Sequence, residues 1–362
     1  MNKTFQTHPL DLHEIRSRVA SSLCRKDLAS CACVSQDWND SFTPPLYKSV
    51  IWSKYGPSIE SLERNKYLIR QLTIQRPAYA TLSWTSSRDK LVSSIMTYST
   101  LATLDLRDNS IGDDGAQALS EALKTNSTLA TLDLRDNSIG DDGAQALSEA
   151  LKINSTLATL DLRDNSIGDD GAQALSEALK TNSTLTTLKL WNNEIRDNGA
   201  QALSEALKTN STLATLDLRD NSIGDDGAQA LSEALNTNST LATLDLRDNK
   251  IGDDGAQALS EALKTNSTLA TLYLGYNNIR DDDLWYNNIG GDDLWYNNIG
   301  GDDLWYNNIG DDGAQALSEA LKTNNTLTTL DLGGNSIGLN GAQALAEALR
   351  PHTLTTLDLG DS

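Results

Sequence analysis

The sequence predicts an α/β solenoid, with strands on one side and helices on the other, preceded by a small all-α module. The main observation is a 28-residue string, LATLDLRDNSIGDDGAQALSEALKTNST, that opens at Leu101 and recurs along the chain. Further copies begin every 28 residues up to Leu269. After an interruption the next copy begins at Leu327, and a partial copy follows from Leu354. Self-similarity at such a fixed period is the signature of a stacked repeat array.

A shift in charge divides the chain near residue 100. The 362 residues carry a net charge of −21, yet residues 1–100 contain 13 Lys and Arg against 8 Asp and Glu. The remaining residues contain 16 Lys and Arg against 42 Asp and Glu. We therefore predict a mildly basic module joined to an acidic array.

Each unit contains a strand, a bend and a helix in that order. Leu101, Leu104 and Leu106 alternate as in a short strand with one buried face. Asn109 follows at a bend, where its amide can satisfy open backbone groups, and the acids of Gly112-Asp113-Asp114-Gly115 suit a helix start. The apolar stripe of the helix comprises Ala116, Leu119, Ala122 and Leu123. One unit cannot bury these faces alone, whereas stacked units can.

The pattern LxxLxLxxN in these units resembles the leucine-rich repeat in its long form, as found in ribonuclease inhibitor. The resemblance covers residues 101–362 and implies a right-handed horseshoe, with parallel strands on the concave side and helices on the convex side. Upstream, Ile69–Ile74 repeats the strand in altered form, and Leu91 to Met96 can supply a helix. We therefore predict an N-terminal capping repeat over 67–100. No matching cap follows the last strand, so we expect its apolar layer to be uncovered unless a partner covers it.

A decamer, LWYNNIGGDD, interrupts the array and starts at Leu284, Leu294 and Leu304. Each copy matches half a strand and the Asn bend but lacks the helix, so we predict an insertion of three decamers at about 284–313. One hypothesis is an aromatic ligand loop, since regularly placed exposed aromatics can anchor a partner. Its aromatic residues are Trp285, Tyr286, Trp295, Tyr296, Trp305 and Tyr306. The alternative is a duplication that the solenoid tolerates as a bulge.

Residues 8–52 have the apolar spacing of a small helical cluster. This segment resembles the F-box, whose pattern runs LPxEIxxxIxxxL and then DLxxxxxVSxxW. Leu12 stands where the family has its proline, and Pro9 lies upstream. The resemblance implies that the module binds a Skp-type adaptor of a cullin ubiquitin ligase. The implied adaptor-binding residues are Pro9, Leu12, Ile15, Val19, Leu23, Leu28, Val34 and Trp38. The alternative is that these residues form only the core of a helical cap.

Several classes of function are not expected. The acidic balance disfavours nucleic-acid binding, and no run of 18 apolar residues would span a membrane. Met1 to Pro9 lacks the apolar core of a signal peptide, so we expect an intracellular protein, cytoplasmic or nuclear. The three histidines, His8, His13 and His352, are scattered, and Cys31 and Cys33 lack the spacing of a zinc knuckle. We therefore predict no catalytic, metal or cofactor site.

The outward strand positions form the candidate binding surface, and we expect their side chains to be exposed. In most units they are Ala, Thr, Asp, Arg and Asp, as in Ala102, Thr103, Asp105, Arg107 and Asp108. Stacked strands lie about 4.8 Å apart, so the Asp105 and Arg107 positions should form adjacent acidic and basic columns. Lateral pairing between these columns would give a self-neutralising, solvated face.

Two units break this pattern. In the fourth, Lys189, Trp191 and Asn192 replace Asp, Arg and Asp, and in the seventh, Tyr273 and Tyr276 replace two acids. Aromatic side chains are the usual anchors of protein interfaces. We predict that these five residues bind a protein substrate.

The resemblances together predict a non-enzymatic adaptor, the substrate-recognition subunit of a Skp–cullin–F-box-type ubiquitin ligase. The F-box-like module would bind the Skp-type adaptor, and the repeats would bind an unidentified protein substrate. No cofactor, nucleic acid or membrane is expected as a partner. The alternatives are a Ran-type GTPase activator and a scaffold of recently expanded repeats.

Overall fold

The computed structural model describes residues 48–52, 59–75, 95–275, 307–349 and 354–360. The predicted helical module over 8–52 therefore lies outside the described residues except at its end. All eight predicted adaptor-binding residues, from Pro9 to Trp38, lie outside them as well.

A single parallel sheet of eleven strands runs through the described residues in strict chain order. Its strands are β1 (Ser49–Trp52), β2 (Gln71–Ile74), β3 (Thr103–Asp105), β4 (Thr131–Asp133), β5 (Thr159–Asp161), β6 (Thr187–Lys189), β7 (Thr215–Asp217), β8 (Thr243–Asp245), β9 (Thr271–Tyr273), β10 (Thr329–Asp331) and β11 (Thr356–Asp358). Each strand pairs in register with the same positions of the next unit, for example Leu104 with Leu132. The predicted parallel solenoid is confirmed at this level.

A helix follows each strand from β3 to β10, and the helices of neighbouring units pack on each other. The helices are α1 (Ile59–Arg64), α2 (Gly112–Leu123), α3 (Asp141–Leu151), α4 (Asp169–Leu179), α5 (Asp197–Leu207), α6 (Asp225–Leu235), α7 (Asp253–Leu263), α8 (Asp311–Leu321) and α9 (Leu339–Ala348). A short 3₁₀ helix spans Lys66–Leu68. Among these described helices the longest has 12 residues, and none has the length and hydropathy needed to cross a bilayer.

The core lies between the sheet and the helices, where the leucine positions of the pattern meet. Leu101, Leu104, Leu106, Leu119 and Leu123 are all fully buried, and so are their equivalents up to Leu332. Such burial is worth about 2 kcal/mol per leucine, which is why the leucine spacing determines the fold.

The sheet begins earlier than the sequence indicates. Ser49–Trp52, which we assigned to the helical module, is a strand that pairs with Gln71–Ile74. Val50 is buried on its inner side. The boundary of the predicted module at residue 52 is therefore corrected, because these four residues extend the sheet beyond the capping repeat predicted over 67–100.

The asparagine at the bend joins neighbouring units, as its type and position suggest. The Asn137 amide nitrogen donates to the carbonyls of Leu106, Leu134 and Arg135 at 2.9–3.0 Å. Its Oδ1 accepts the backbone N–H of Asn109 at 2.9 Å. Equivalent asparagines repeat the amide bonds along the array, and their Oδ1 atoms accept the N–H of an isoleucine in the preceding unit, as Asn165 does from Ile139 at 2.9 Å. A continuous ladder of amides thus closes the turns.

A second asparagine ladder, which the sequence analysis did not identify, runs along the helix C-termini. Asn154 is buried, and its amide donates to the carbonyls of Leu123 and Asn126 in the preceding unit. Its Oδ1 accepts the N–H groups of Thr156 and Leu157. This ladder satisfies carbonyls that a helix end leaves unpaired, and it explains the invariant Asn of the KTNST segment.

The first aspartate of each helix caps the helix of the next unit. Asp141 Oδ1 accepts the N–H of Gly168 at 2.7 Å and of Gly171 at 2.8 Å. Gly168 is the N-cap of α4 and has no side chain to do this itself. A methyl group on Gly171 would lie 2.7 Å from the Asp141 carboxylate, so this position must stay glycine.

The array continues across the interruption with its bonding intact. β9 pairs with β10, and Asn307 takes the bend position by donating to the carbonyls of Leu246 and Leu274. The N–H groups of Gly310 and Gly313 donate to Asp253 Oδ1, which caps the helix. Residues 307–313 thus belong to the repeat unit, and the extra residues lie between Gly275 and Asn307 rather than at about 284–313. The decamer aromatics lie outside the described residues.

The last strand is less covered than the interior ones, as expected. Leu354, Leu357 and Leu359 are half-buried, whereas their counterparts one unit earlier are fully buried. Leu339, 83% exposed, occupies the position of the capping aspartate, so α9 offers no carboxylate to a following helix.

Candidate protein-binding face

The strand face consists of the outward side chains of β3–β11 at the positions equivalent to Asp105, Arg107 and Asp108. In four units the arginine bonds the aspartate two residues before it. The shortest nitrogen–oxygen distances are 2.6 Å in Arg107–Asp105, 2.7 Å in Arg135–Asp133, 2.8 Å in Arg163–Asp161 and 2.6 Å in Arg247–Asp245. These pairs confirm the predicted pairing of acidic and basic columns.

Burial of these pairs is greater than we predicted. Asp105, Asp161 and Asp245 are buried rather than exposed, with 6–7% of their surface accessible. Burial alone would raise the pKa of Asp133, but the hydrogen bonds and charge of Arg135 lower that pKa below its ordinary value. The same hydrogen bond raises the pKa of Arg135. In these four units the aspartate carboxylate is therefore already bonded to a guanidinium of its own unit.

At the third position of the strand face, which is equivalent to Asp108, the residue type is determined by backbone conformation as well as by charge. Asp108, Asp136, Asp164, Asn192, Asp220 and Asp248 all have positive φ, between 50° and 57°. Short polar side chains tolerate this left-handed region far better than others do. Gly334 takes the position in the eighth unit, with φ 70°.

The break in the fourth unit places an aromatic ring among arginines. The guanidinium carbon of Arg219 lies 4.6 Å from the centre of the Trp191 ring, and that of Arg163 lies 5.5 Å away. Trp191 is half-buried, because these neighbours cover it. Our expectation that this position is freely exposed is therefore wrong.

Lys189 and Asn192 flank this ring. Lys189 is half-buried in β6, and within the described residues it has no ion pair. Asn192 is exposed and donates to Asp164 Oδ1 at 2.8 Å. The structure thus brings together three of the five predicted substrate-binding residues.

Tyr273 lies apart from these three residues. It stands in β9, three strands from β6, which is roughly 14 Å along the face. The guanidinium carbon of Arg247 lies 4.6 Å from the centre of its ring. Tyr276 lies outside the described residues. Tyr273 is therefore a second aromatic position on the face.

A further residue, Asp217, was not identified from the sequence. Arg219 does not bond it with its side chain but turns to Asp248, with 3.0 Å between Nε and Oδ2. Burial, together with the charge of Asp245, raises the pKa of Asp217 to about 6. The unit that holds Asp217 has the consensus sequence, so the only signal lies in the neighbouring Trp191.

The strand face shows no convergence of metal ligands. Across the described ranges, from residue 48 to residue 360 with their gaps, no group of three His, Cys, Asp or Glu side chains is placed to hold a metal ion.

Comparison with known proteins identifies the repeats. The family model described as leucine-rich repeat matches nine segments that together cover more than half of the chain. They are 99–120, 125–148, 154–176, 181–204, 209–232, 237–260, 265–284, 303–318 and 323–346. A search of curated proteins finds no match.

Two solved structures are similar to parts or most of the chain. An internalin (inlF) from Listeria monocytogenes shares 17% identity with a TM-score of 0.46, covering 97% of this chain and 95% of that one. Actin-binding site 2 of leiomodin-1 shares 25% identity with a TM-score of 0.35, covering 38% of this chain and 81% of that one.

Proposed function

This chain belongs to the leucine-rich-repeat family, and from that premise we propose that it is a non-enzymatic adaptor that holds a protein on its strand face. The observation that supports this proposal is the break at Lys189, Trp191 and Asn192. In four units the Asp–Arg pairs neutralise one another, whereas this unit presents a half-buried aromatic ring and a lysine that has no ion pair among the described residues. Aromatic residues beside polar groups are typical of interface centres.

We further propose that the adaptor works in a Skp–cullin–F-box-type ubiquitin ligase. The support for this step is the F-box-like pattern over residues 8–52, placed ahead of the repeats. In such an arrangement the N-terminal module binds the Skp-type adaptor and the repeats hold the protein to be modified.

Co-purification of the full chain with a Skp-type adaptor tests this step. We expect the wild-type chain to retain the adaptor, and Ile15→Asp and Trp38→Ala to lose it, since both positions lie in the F-box-like pattern. A Val50→Ala variant is the control, because Val50 lies beyond Trp38, the last residue that matches the F-box pattern, in the first strand of the sheet. Absence of adaptor from the wild-type complex would leave a protein-binding array without a ligase role.

Restoring the consensus in the fourth unit tests the binding face. The variant Lys189→Asp/Trp191→Arg/Asn192→Asp reproduces the strand of its neighbours, so we expect it to fold normally. Partners captured from cell extract by the wild-type chain should be lost from this variant. Equal capture by both proteins would place the binding surface elsewhere.

A further inference from the structure

The repeats provide their own comparison for the pairing of each arginine. In four units the guanidinium bonds its own aspartate at 2.6–2.8 Å. In the fifth unit, Arg219 bonds Asp248 of the next unit instead. The five arginines share the same local sequence, LDLRD, so the cause must lie in a neighbouring unit.

Trp191 is that neighbour. It stands where five other units have arginine, and its ring centre lies 4.6 Å from the Arg219 guanidinium carbon. A guanidinium over a tryptophan face is attracted by the negative face of the ring. Bonding to Asp248 keeps that guanidinium paired while it stacks, so Arg219 leaves Asp217 at little cost.

Consequently, among the described residues, no side chain forms an ion pair or a hydrogen bond with the Asp217 carboxylate. The hydrogen bond that it accepts comes from the backbone N–H of Arg219 at 3.2 Å. Lys189 lies beside it in β6 and Asp245 beside it in β8, and the charges of Arg163 and Arg247 reach it only at longer range. The carboxylate is half-buried and accessible from the strand face.

We propose that Asp217 accepts a lysine or arginine side chain of the bound protein, and that Trp191 keeps Asp217 open by holding Arg219 away. This inference rests on the proposed function, because it specifies what the strand face recognises. An incoming cation would replace the missing guanidinium, and charge-assisted bonds to a half-buried carboxylate are stronger than those at the surface. The paired aspartates of the other units already bond a guanidinium, so they lack this open acceptor.

The test uses defined peptides, since the bound protein is unidentified. The probe is an acetylated and amidated nonapeptide of alternating glycine and arginine, with lysine and glutamate versions beside it. Its Kd for the full chain is measured by calorimetry at physiological salt. We expect both cationic peptides to bind and the glutamate peptide not to bind.

Matched variants separate Asp217 from general attraction to an acidic chain. Asp217→Asn and Asp133→Asn change the net charge equally, but only the first removes an open acceptor. We expect Asp217→Asn to weaken binding about fivefold or more and Asp133→Asn to weaken it about twofold or less. Trp191→Arg should weaken binding as Asp217→Asn does, because it releases Arg219 to bond Asp217.

Equal effects of Asp217→Asn and Asp133→Asn would overturn the inference, and so would full binding by Trp191→Arg. If the peptides fail to bind while the consensus variant of the fourth unit still loses its captured partner, Asp217 is not a cation acceptor but the proposed function stands. If that capture is also unchanged, both proposals fail.

Discussion

A single amide side chain closes each turn of the array, and its replacement should show how much one residue contributes. In Asn137→Ala, three backbone carbonyls and the N–H groups of Asn109 and Ile111 each lose a hydrogen bond at once. Unsatisfied buried polar groups are costly, so we expect a loss of about 3 kcal/mol in the free energy of unfolding. Urea denaturation followed by circular dichroism measures this loss.

Asn236→Ala is the control for that experiment. Asn236 is exposed and directly follows α6. Within the described part of the chain, its side chain makes one hydrogen bond, which it accepts from the Thr265 hydroxyl. The expected change is within about 0.5 kcal/mol. Similar losses in the two variants would mean that the ladder does not stabilise the array.

Asp133 and Asp217 occupy the same position in two units, yet their substitution should have opposite effects on stability. Asp133→Asn breaks the bond to Arg135 and should destabilise the chain by about 1–2 kcal/mol at pH 7.5. Asp217→Asn removes a carboxylate whose pKa, raised to about 6, shows that folding disfavours its charge. We expect this variant to be more stable than the wild type by about 1 kcal/mol at pH 7.5.

The pH dependence follows from the same shift. Since the folded-state pKa of Asp217 lies above the ordinary value of 3.8, the folded protein binds a proton more tightly than the unfolded chain, and stability decreases as pH rises through about 6. The advantage of Asp217→Asn should therefore vanish near pH 4 and grow up to pH 7. Thermal unfolding between pH 4 and 8 measures it, and an advantage that is constant with pH would contradict this account.

Between elements, the capping aspartate links one helix to the next. Asp141→Ala removes the acceptor of two N–H groups at the start of α4, so we expect it to cost about 1–2 kcal/mol. The neighbouring Asp142 is exposed and contributes only its charge near the start of α3, so Asp142→Ala should cost about 0.5 kcal/mol or less. Chemical denaturation of both variants provides the comparison, and equal costs would show that the cap between units has no special role.

The period, the buried leucines and the Asn bend were predictable because they follow from local pattern alone. The role of Asp141 was only half predictable: its place in the first turn is local, but the helix that it caps lies in the next unit. The missing ion pair of Asp217 was not predictable. Its strand has the same LDLRD sequence as four other units, and the loss of Arg219 as a partner depends on Trp191 in the preceding unit. Burial of Trp191 was misjudged for the same reason, because the arginines that cover it belong to other strands.

At the scale of the whole molecule, the backbone pairing and the side-chain ladders of the described units join each unit to its neighbours, so stability is distributed along the array. Both asparagine ladders and the aspartate caps connect one unit to the next. They run through the interruption as well, where Asn307, Asn324 and Gly310 bond the unit before it. The residues before and after the extra segment therefore form one repeat unit.

This continuity predicts that the extra segment can be removed without loss of stability. Deleting residues 277–306 joins Tyr276 to Asn307 and leaves a unit of 28 residues. Tyr276 would then occupy the bend position that has positive φ in other units, where a bulky side chain costs about 1–2 kcal/mol. The variant therefore also carries Tyr276→Asp. We expect its free energy of unfolding to equal or exceed that of the wild type in urea denaturation, and a less cooperative transition would contradict continuity. Partner capture by this variant decides between the two hypotheses for the decamers when it is compared with Tyr276→Asp in the full chain, because Tyr276 is itself a predicted binding residue. Capture equal to that control indicates a tolerated duplication, whereas a further loss indicates an aromatic ligand loop.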